Sequence, residues 1–312
     1  MRRTFIALLG SMTLLAAACS AKAANPANPT SPAVTRAGAP SGATQRSHIM
    51  FIVLENTEYE EVTPTSMPFL YSQAQKYVLL TNEYAIRHPS LPNYIAMMAG
   101  STYGIHNNCE KGKPGWPCNL RGNSLVDQLA GKGIGWKAYM ENLPRRCSNV
   151  ETAPGGYAKK HNPFMFFDRI RNKPARCKRV VPLGQLSADL KARNLPAFSF
   201  LTPNLCHDAH DCSLGVADRF LRTWVPRVLS KMGRTGVIFI TWDEGSSDKG
   251  CCDGQAAGGR VFTAIVGPGA KLHLKITKTL NHYSLLRAVE DNWGLARLNL
   301  AAKAPILRGW QR

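Results

Sequence analysis

Asp243 and Glu244 stand side by side directly after the apolar run Val237-Ile238-Phe239-Ile240-Thr241 and Trp242. Two adjacent carboxylates at the end of a buried strand repel each other, and burying either without a cation or a donor is costly. A divalent cation shared with a third acid would relieve that repulsion. Glu55 and Asn56 follow a second apolar run, His48 to Leu54, and offer oxygen ligands of the same hard kind. Ser90 lies in His88-Pro89-Ser90-Leu91-Pro92-Asn93-Tyr94, just ahead of the apolar stretch Ile95 to Met98. A serine at a helix start sits where N–H groups and the helix dipole stabilise an anion, a good place for a nucleophile attacking phosphorus or a carbonyl carbon. After a third apolar run, His207, Asp208, His210 and Asp211 crowd between Cys206 and Cys212, a density that suits metal or phosphate binding. Two further histidines are candidates: His282 at the start of the last predicted helix, and His161 beside Lys159 and Lys160. Each feature also has a plain structural reading, as a strand-end turn, an N-cap, a polar loop or a solvated charge run.

These side chains need rigid elements to bring them together. Five apolar runs read as strands buried on both faces: 48–54, 77–80, 197–201, 237–241 and 261–266. Helical patterns lie between and after them, at Ser124–Leu129, Leu183–Leu190, Val216–Met232 and Tyr283–Trp293. Buried strands alternating with amphipathic helices predict a three-layer α/β/α sandwich with a mostly parallel sheet. In such folds the active site collects at the carboxyl ends of the strands, where these residues stand. Residues 104–180 are loop-rich, cysteine-rich and basic, and read as an elaboration over one end of the sheet. No G-x-S-x-G, Walker loop or G-x-G-x-x-G occurs, which counts against an α/β-hydrolase, a P-loop NTPase and a dinucleotide enzyme.

The 312 residues are 44% hydrophobic and 19% charged, a globular composition that excludes disordered, collagenous and coiled-coil chains. Arg2 and Arg3 precede an apolar run and an Ala21-Lys22-Ala23 site, so residues 1–23 read as an export signal. Cys19 also stands in a lipobox-like setting, which would make it a lipid-modified terminus. The Ala/Pro/Ser/Thr-rich stretch 24–47 reads as a flexible linker, and 48–312 as the working domain. The export reading places the protein outside the cytosol, secreted or periplasmic, with no transmembrane span in the mature chain. Eight cysteines remain after Cys19, an even count that suggests disulfides in an exported chain. Spacing favours the short loops Cys109–Cys118 and Cys206–Cys212, with Cys147–Cys177 following. Adjacent Cys251 and Cys252 could bridge, stay free or bind metal. The formal charge is +19, and cutting after Ala23 removes three basic residues and no acid, leaving +16. That field attracts acidic partners: phosphate esters, anionic lipid headgroups or nucleic acid.

Taken in order, Leu54-Glu55-Asn56, the His88–Tyr94 motif, Pro203-Asn204 with Asp208 and His210-Asp211, Thr241-Trp242-Asp243-Glu244 and His282-Tyr283 resemble the bacterial phosphoesterases of the alkaline-phosphatase-like superfamily. The resemblance covers residues 48 to about 298 and is nearest to secreted acid phosphatases described as phosphatidylinositol-3-phosphatases. It implies Ser90 as nucleophile, with Glu55, Asn56, Asp243 and Glu244 joining it around one divalent metal of unknown identity. It implies His210, His282 and Asp208 as further catalytic residues, and Asn108, His161 and His88 as substrate contacts. Asn204 stands where two-metal relatives carry an aspartate, which speaks against a second metal. The implied activity is hydrolysis of phosphomonoesters, phosphoinositides among them, through a phosphoserine. A phospholipase C-type diesterase of the same fold is the alternative within the family. A basic envelope- or nucleic-acid-binding module is the alternative outside it, although the intact Ser90, Glu55 and Asp243 argue for an enzyme with no obligate nucleic-acid partner.

Overall fold

The computed structural model describes residues 47–312. The expected leader, Cys19 and the linker up to residue 46 lie outside the described residues. The chain opens with β1 (Ile49–Leu54), α1 (Pro68–Lys76), β2 (Val78–Tyr84), α2 (Ser90–Ala99) and α3 (Leu125–Gly131). Then come β3 (Trp136–Met140), a small hairpin of β4 (Thr152–Ala153) and β5 (Tyr157–Ala158), and the short helices α4 (Asp168–Arg171) and α5 (Pro174–Cys177). The remainder comprises β6 (Val180–Pro182), α6 (Gly184–Lys191), β7 (Phe198–Thr202), α7 (Leu214–Leu229), β8 (Val237–Trp242), β9 (Arg260–Val266), β10 (Leu274–Ile276), β11 (Leu280–Asn281) and α8 (His282–Asn292).

The central sheet runs β10-β2-β9-β8-β1-β7-β3-β6, and β11 also pairs with β2. Only β9 is antiparallel to its neighbours, β2 and β8; the other pairings of this sheet are parallel. β1 shows why its sequence is apolar throughout. Ile49, Phe51 and Val53 pack into one layer with α2, α3 and α8, while Met50, Ile52 and Leu54 pack into the other with α1, α6 and α7. Side chains alternate across a strand, so a strand covered on both faces has no polar side to show. The sandwich is thus three layers deep, as the alternating pattern predicts.

The segment 104–180 does more than overlie the sheet. It supplies β3, which pairs with β7, and the last residue of the segment leads straight into edge strand β6. Both strands are short, and Lys137 interrupts the apolar character of β3, so neither stands out by pattern. Four disulfides close the loops: Cys109–Cys118, Cys147–Cys177, Cys206–Cys212 and the adjacent pair Cys251–Cys252. Among the described residues no helix is long and apolar enough to cross a membrane.

Candidate active site

Leu54 pairs with Trp242 at the last position of the β1/β8 register, so Glu55 and Asp243 leave the sheet side by side. Backbone bonds lock the arrangement. The Asp243 N–H donates to Leu54 O at 2.9 Å, and the Glu55 N–H donates to Asp208 O at 2.8 Å. Ser90 is the first residue of α2 and is buried. Its hydroxyl lies 3.0 Å from Glu55 Oε2 and 3.2 Å from Glu244 Oε1. Four residues on, and so on the same helix face, the Tyr94 hydroxyl donates to Glu55 Oε1. Asn108 Oδ1 accepts the Leu91 N–H at 3.1 Å, which brings the Asn108 amide beside the helix start.

His161 occupies the centre of this group. Its Nε2 is 3.2 Å from the same Glu55 Oε2 that Ser90 touches, and its Nδ1 is 3.3 Å from Asp208 Oδ2. The Tyr94 ring stacks on it at 5.4 Å. Burial alone would depress the imidazolium, but Glu55 and Asp208 outweigh burial and raise the His161 pKa to about 9. Burial also pushes Glu55 up, yet the attraction of His161 leaves it below the usual carboxylate range. Asp243 is held well above that range by burial and by the repulsion of Glu55 and Glu244. Glu244 is raised by burial as well, in spite of His88 beside it, and Asp208 is raised by burial and by Glu55.

His210 Nδ1 lies 2.7 Å from Asp211 Oδ1, and its Nε2 lies 3.1 Å from Lys160 Nζ. Glu55, His161 and His210 bring ligand atoms within 4.8 Å of one another, a set able to hold a metal ion. Asp243 Oδ1 accepts the Asn56 N–H at 3.3 Å, while its buried Oδ2 has no partner; Asp208 Oδ2 and His161 Nε2 are likewise buried without a hydrogen bond. Asp208 Oδ2 and His161 Nε2 still have ion-pair partners, so Asp243 Oδ2 is the one of the three left bare, which is expensive unless a ligand or ion completes it.

A sequence profile described as the Phosphoesterase family matches residues 51–296. The chain belongs to that family. An acid phosphatase of Aspergillus fumigatus is 32% identical over 258 residues, 78% of this chain and 54% of its own length. A phosphate-repressible acid phosphatase of Penicillium chrysogenum is 33% identical, over 79% of this chain and 59% of its own. This member of the family therefore spans little more than half the length of those fungal relatives. A phosphatidylinositol-3-phosphatase of Mycobacterium tuberculosis is 30% identical over 83% of this chain and 81% of its own. Among solved structures, a Vibrio parahaemolyticus protein of the alkaline phosphatase superfamily matches 85% of this chain with a TM-score of 0.58 at 13% identity. That likeness is one of fold.

The remaining expected site residues of this family member fall in two groups. Ser90, Glu55, Asp243, Glu244, Asp208, His161, His210 and Asn108 all reach the cleft or its rim through the contacts above. The others hold the frame. Asn56 is exposed with φ of 52°, a left-handed conformation that asparagine tolerates, and it contributes its backbone N–H rather than its side chain. His88 bridges Glu244 Oε2 at 2.5 Å and Ser247 O at 3.1 Å, and so orients a carboxylate. His282 is fully buried, with Nε2 2.6 Å from Asp243 O and Nδ1 2.8 Å from Glu83 Oε1. Both ring nitrogens are occupied behind the cleft, so His282 positions the Asp243 turn and has none left for substrate. The Asn204 side chain caps its own loop, taking the Cys206 and His207 N–H groups and donating to Asn142. Lys159, which as part of a solvated charge run would lie at the surface, is instead buried, paired with Glu151 at 3.1 Å and lying over Phe166.

Sequence reasoning missed Glu83, which sits in β2 and accepts from Thr263 at 2.6 Å and Thr241 at 3.3 Å as well as facing His282. Its signal is an acid inside a buried strand. Tyr94 was visible in the motif but without a role. Glu58 was also missed: it ties down the loop after Glu244 by accepting the Ser246 N–H at 3.0 Å and the Ser247 hydroxyl at 2.9 Å. A Cβ on Gly245 would stand 2.2 Å from Glu58 Oε2, so any larger residue there displaces the carboxylate that ties down this loop.

Proposed function

We propose that this chain is a phosphomonoesterase that works through a phosphorylated Ser90. The observation that carries the reading is the Ser90 hydroxyl, buried at a helix start within 3.0 and 3.2 Å of two carboxylates on neighbouring strand ends. Either carboxylate can take the hydroxyl proton as Oγ attacks phosphorus. The Oγ–P bond forms, the bond from phosphorus to the ester oxygen breaks, and the departing alkoxide takes a proton from the His161 imidazolium. Water then gives a proton to the His161 imidazole as its oxygen attacks the phosphoserine; the Oγ–P bond breaks, Ser90 Oγ takes back the proton held by the carboxylate, and phosphate leaves. Lys160 and the Asn108 amide border the cleft and suit the equatorial phosphate oxygens.

The donor set fits a divalent cation. Three buried carboxylates repel one another here, and Asp243 Oδ2 is buried without a partner. Glu55, Asp243, Glu244 and Ser90 Oγ would hold it. When bound, such an ion lowers the pKa of a coordinated hydroxyl and offsets phosphate charge. The names of the fungal and mycobacterial relatives support phosphomonoesters as the substrate class, with phosphoinositides as one form. Four disulfides support an oxidising compartment outside the cytosol.

The test compares p-nitrophenyl phosphate with its choline diester, each with and without chelator. Monoester turnover that chelator abolishes, together with acid-stable phosphate on Ser90 after quenching, is the expected result. Preference for the diester would make the chain a phospholipase C-type enzyme instead.

A further inference from the structure

The most basic flanks in the chain surround two cysteines: Arg145-Arg146-Cys147 and Arg176-Cys177-Lys178-Arg179. The bridge between Cys147 and Cys177 holds their Cα atoms 4.9 Å apart, so two segments of like charge are fastened together covalently. A backbone bond from Cys147 to Val180 at 3.0 Å ties the first flank to the start of β6. Residues 145–179 contain ten lysines and arginines against only Glu151 and Asp168. Some of these cations are already used. Arg171 pairs with Asp168 and Arg176 with Asp127, and Arg179 lies over Trp136. Among the described residues, Arg145, Arg146 and Lys178 have no acidic partner, and the Arg146 guanidinium donates to the neutral amide of Gln185.

Arg146, Arg171 and Lys178 line a cavity of about 500 Å³ with Cys147, Asn172 and Pro174. Most of this lining is exposed, so it is an open surface depression, and uncompensated charge of one sign there attracts counter-ions. Guanidinium groups match the oxygens of a phosphoryl group in fork geometry, and a lysine adds a point charge. The cavity adjoins edge strand β6, and β7 and β3 lie between that strand and β1. Three strand spacings put it about 14 Å across the sheet from the Glu55 strand. It is therefore separate from the cleft.

We propose that this cavity is a second anion site, which takes a phosphoryl group of a phosphate ester without hydrolysing it. The site does not depend on the catalytic reading, since none of its residues touches the cleft. Inositol trisphosphate is the probe, titrated calorimetrically into the Ser90→Ala chain so that turnover cannot consume it. Two classes of binding are expected. Arg146→Gln with Lys178→Gln should weaken one of them by about tenfold or more, as for loss of two charge-assisted contacts. In the Ser90 protein the same pair should leave kcat/KM for p-nitrophenyl phosphate within about twofold. Exposed Lys271 and Lys303, both changed to Gln, control for net charge and should leave both classes intact. A single class of binding in the parent, or two unchanged classes in Arg146→Gln/Lys178→Gln, overturns the proposal, as does equal weakening by the control pair. Flotation with phosphatidylcholine vesicles, with and without a phosphorylated inositol lipid, separates the sources. Flotation that needs the lipid phosphate and is lost in Arg146→Gln/Lys178→Gln assigns a headgroup; no flotation with the probe still bound assigns a soluble ester.

Discussion

The cleft and the Cys147–Cys177 edge both gather like charges, by opposite means. At the cleft, strand register and backbone bonds force Glu55, Asp208, Asp243 and Glu244 together inside the protein. Their repulsion is not screened by water, so it appears as displaced proton affinities, a captured imidazolium and partnerless buried oxygens. At the edge, a disulfide holds Arg145, Arg146 and Lys178 near one another in solvent, where screening makes their repulsion small. Buried like charges are thus prepared for chemistry, because they hold protons and cations tightly. Solvated like charges are prepared only to attract.

Removing the proposed nucleophile, Ser90, breaks this contrast most severely. Ser90→Ala should lower kcat by about a thousandfold or more, as expected for loss of a covalent nucleophile, while the fold persists. Near-parental turnover would remove Ser90 from the mechanism. Next comes Asp243→Asn, which replaces an ionisable carboxyl of the buried cluster with an amide. A loss of about a hundredfold in kcat is expected, and added divalent cation should raise Tm in the parent but not in the variant. Equal thermal shifts in both would separate Asp243 from any cation.

The frame behind the cleft offers a smaller effect. His282→Asn should lower kcat by about tenfold with little change in KM, because the Asp243 turn shifts while substrate contacts remain. It should also raise the cation concentration needed for half-maximal activity; an unchanged midpoint would reduce His282 to a packing residue. Two neighbouring lysines sharpen the comparison further. Lys160→Ala should raise KM by roughly threefold to tenfold. Lys159→Ala should instead lower Tm, since it strands Glu151 and uncovers Phe166. The reverse pattern would exchange their roles.

Glu290 in α8 gives the mildest test, as a buried carboxyl outside the acidic cluster. Burial raises its pKa to about 8, and its Oε1 accepts the Leu298 N–H at 2.9 Å. The folded chain keeps this proton between the ordinary carboxylate pKa and about 8, whereas the unfolded chain releases it. Its contribution to stability is therefore complete below the unfolded pKa and fades as pH rises through the window. Glu290→Gln should flatten the fall of Tm between about pH 5 and pH 8. A slope equal to the parent's would mean that Glu290 is ionised when folded.

Much of this was legible in the chain. The five long apolar runs became β1, β2, β7, β8 and β9, because a strand covered on both faces is apolar along most of its length. The cysteine spacings pointed to the observed bridges 109–118 and 206–212, since short loops close easily, and 147–177 followed from the cysteines that remained. Strands β3 and β6 were hidden, being too short to show a pattern. Glu83 was hidden as well, because a lone acid in a strand says nothing of the histidine some two hundred residues away that it will face.

The sequence alone determined which residue types stand at strand ends and helix starts, since periodicity and local propensity are properties of neighbours along the chain. It therefore named Ser90, Glu55, Asp243, Glu244, His161 and His210. What each does was decided by tertiary structure. Asn56 turned its side chain to solvent, His88 and His282 became supports, Lys159 was buried and Lys160 came to face His210. The physical reason is that charge and hydrogen-bonding roles depend on distance and burial between segments far apart in sequence, and only packing sets those.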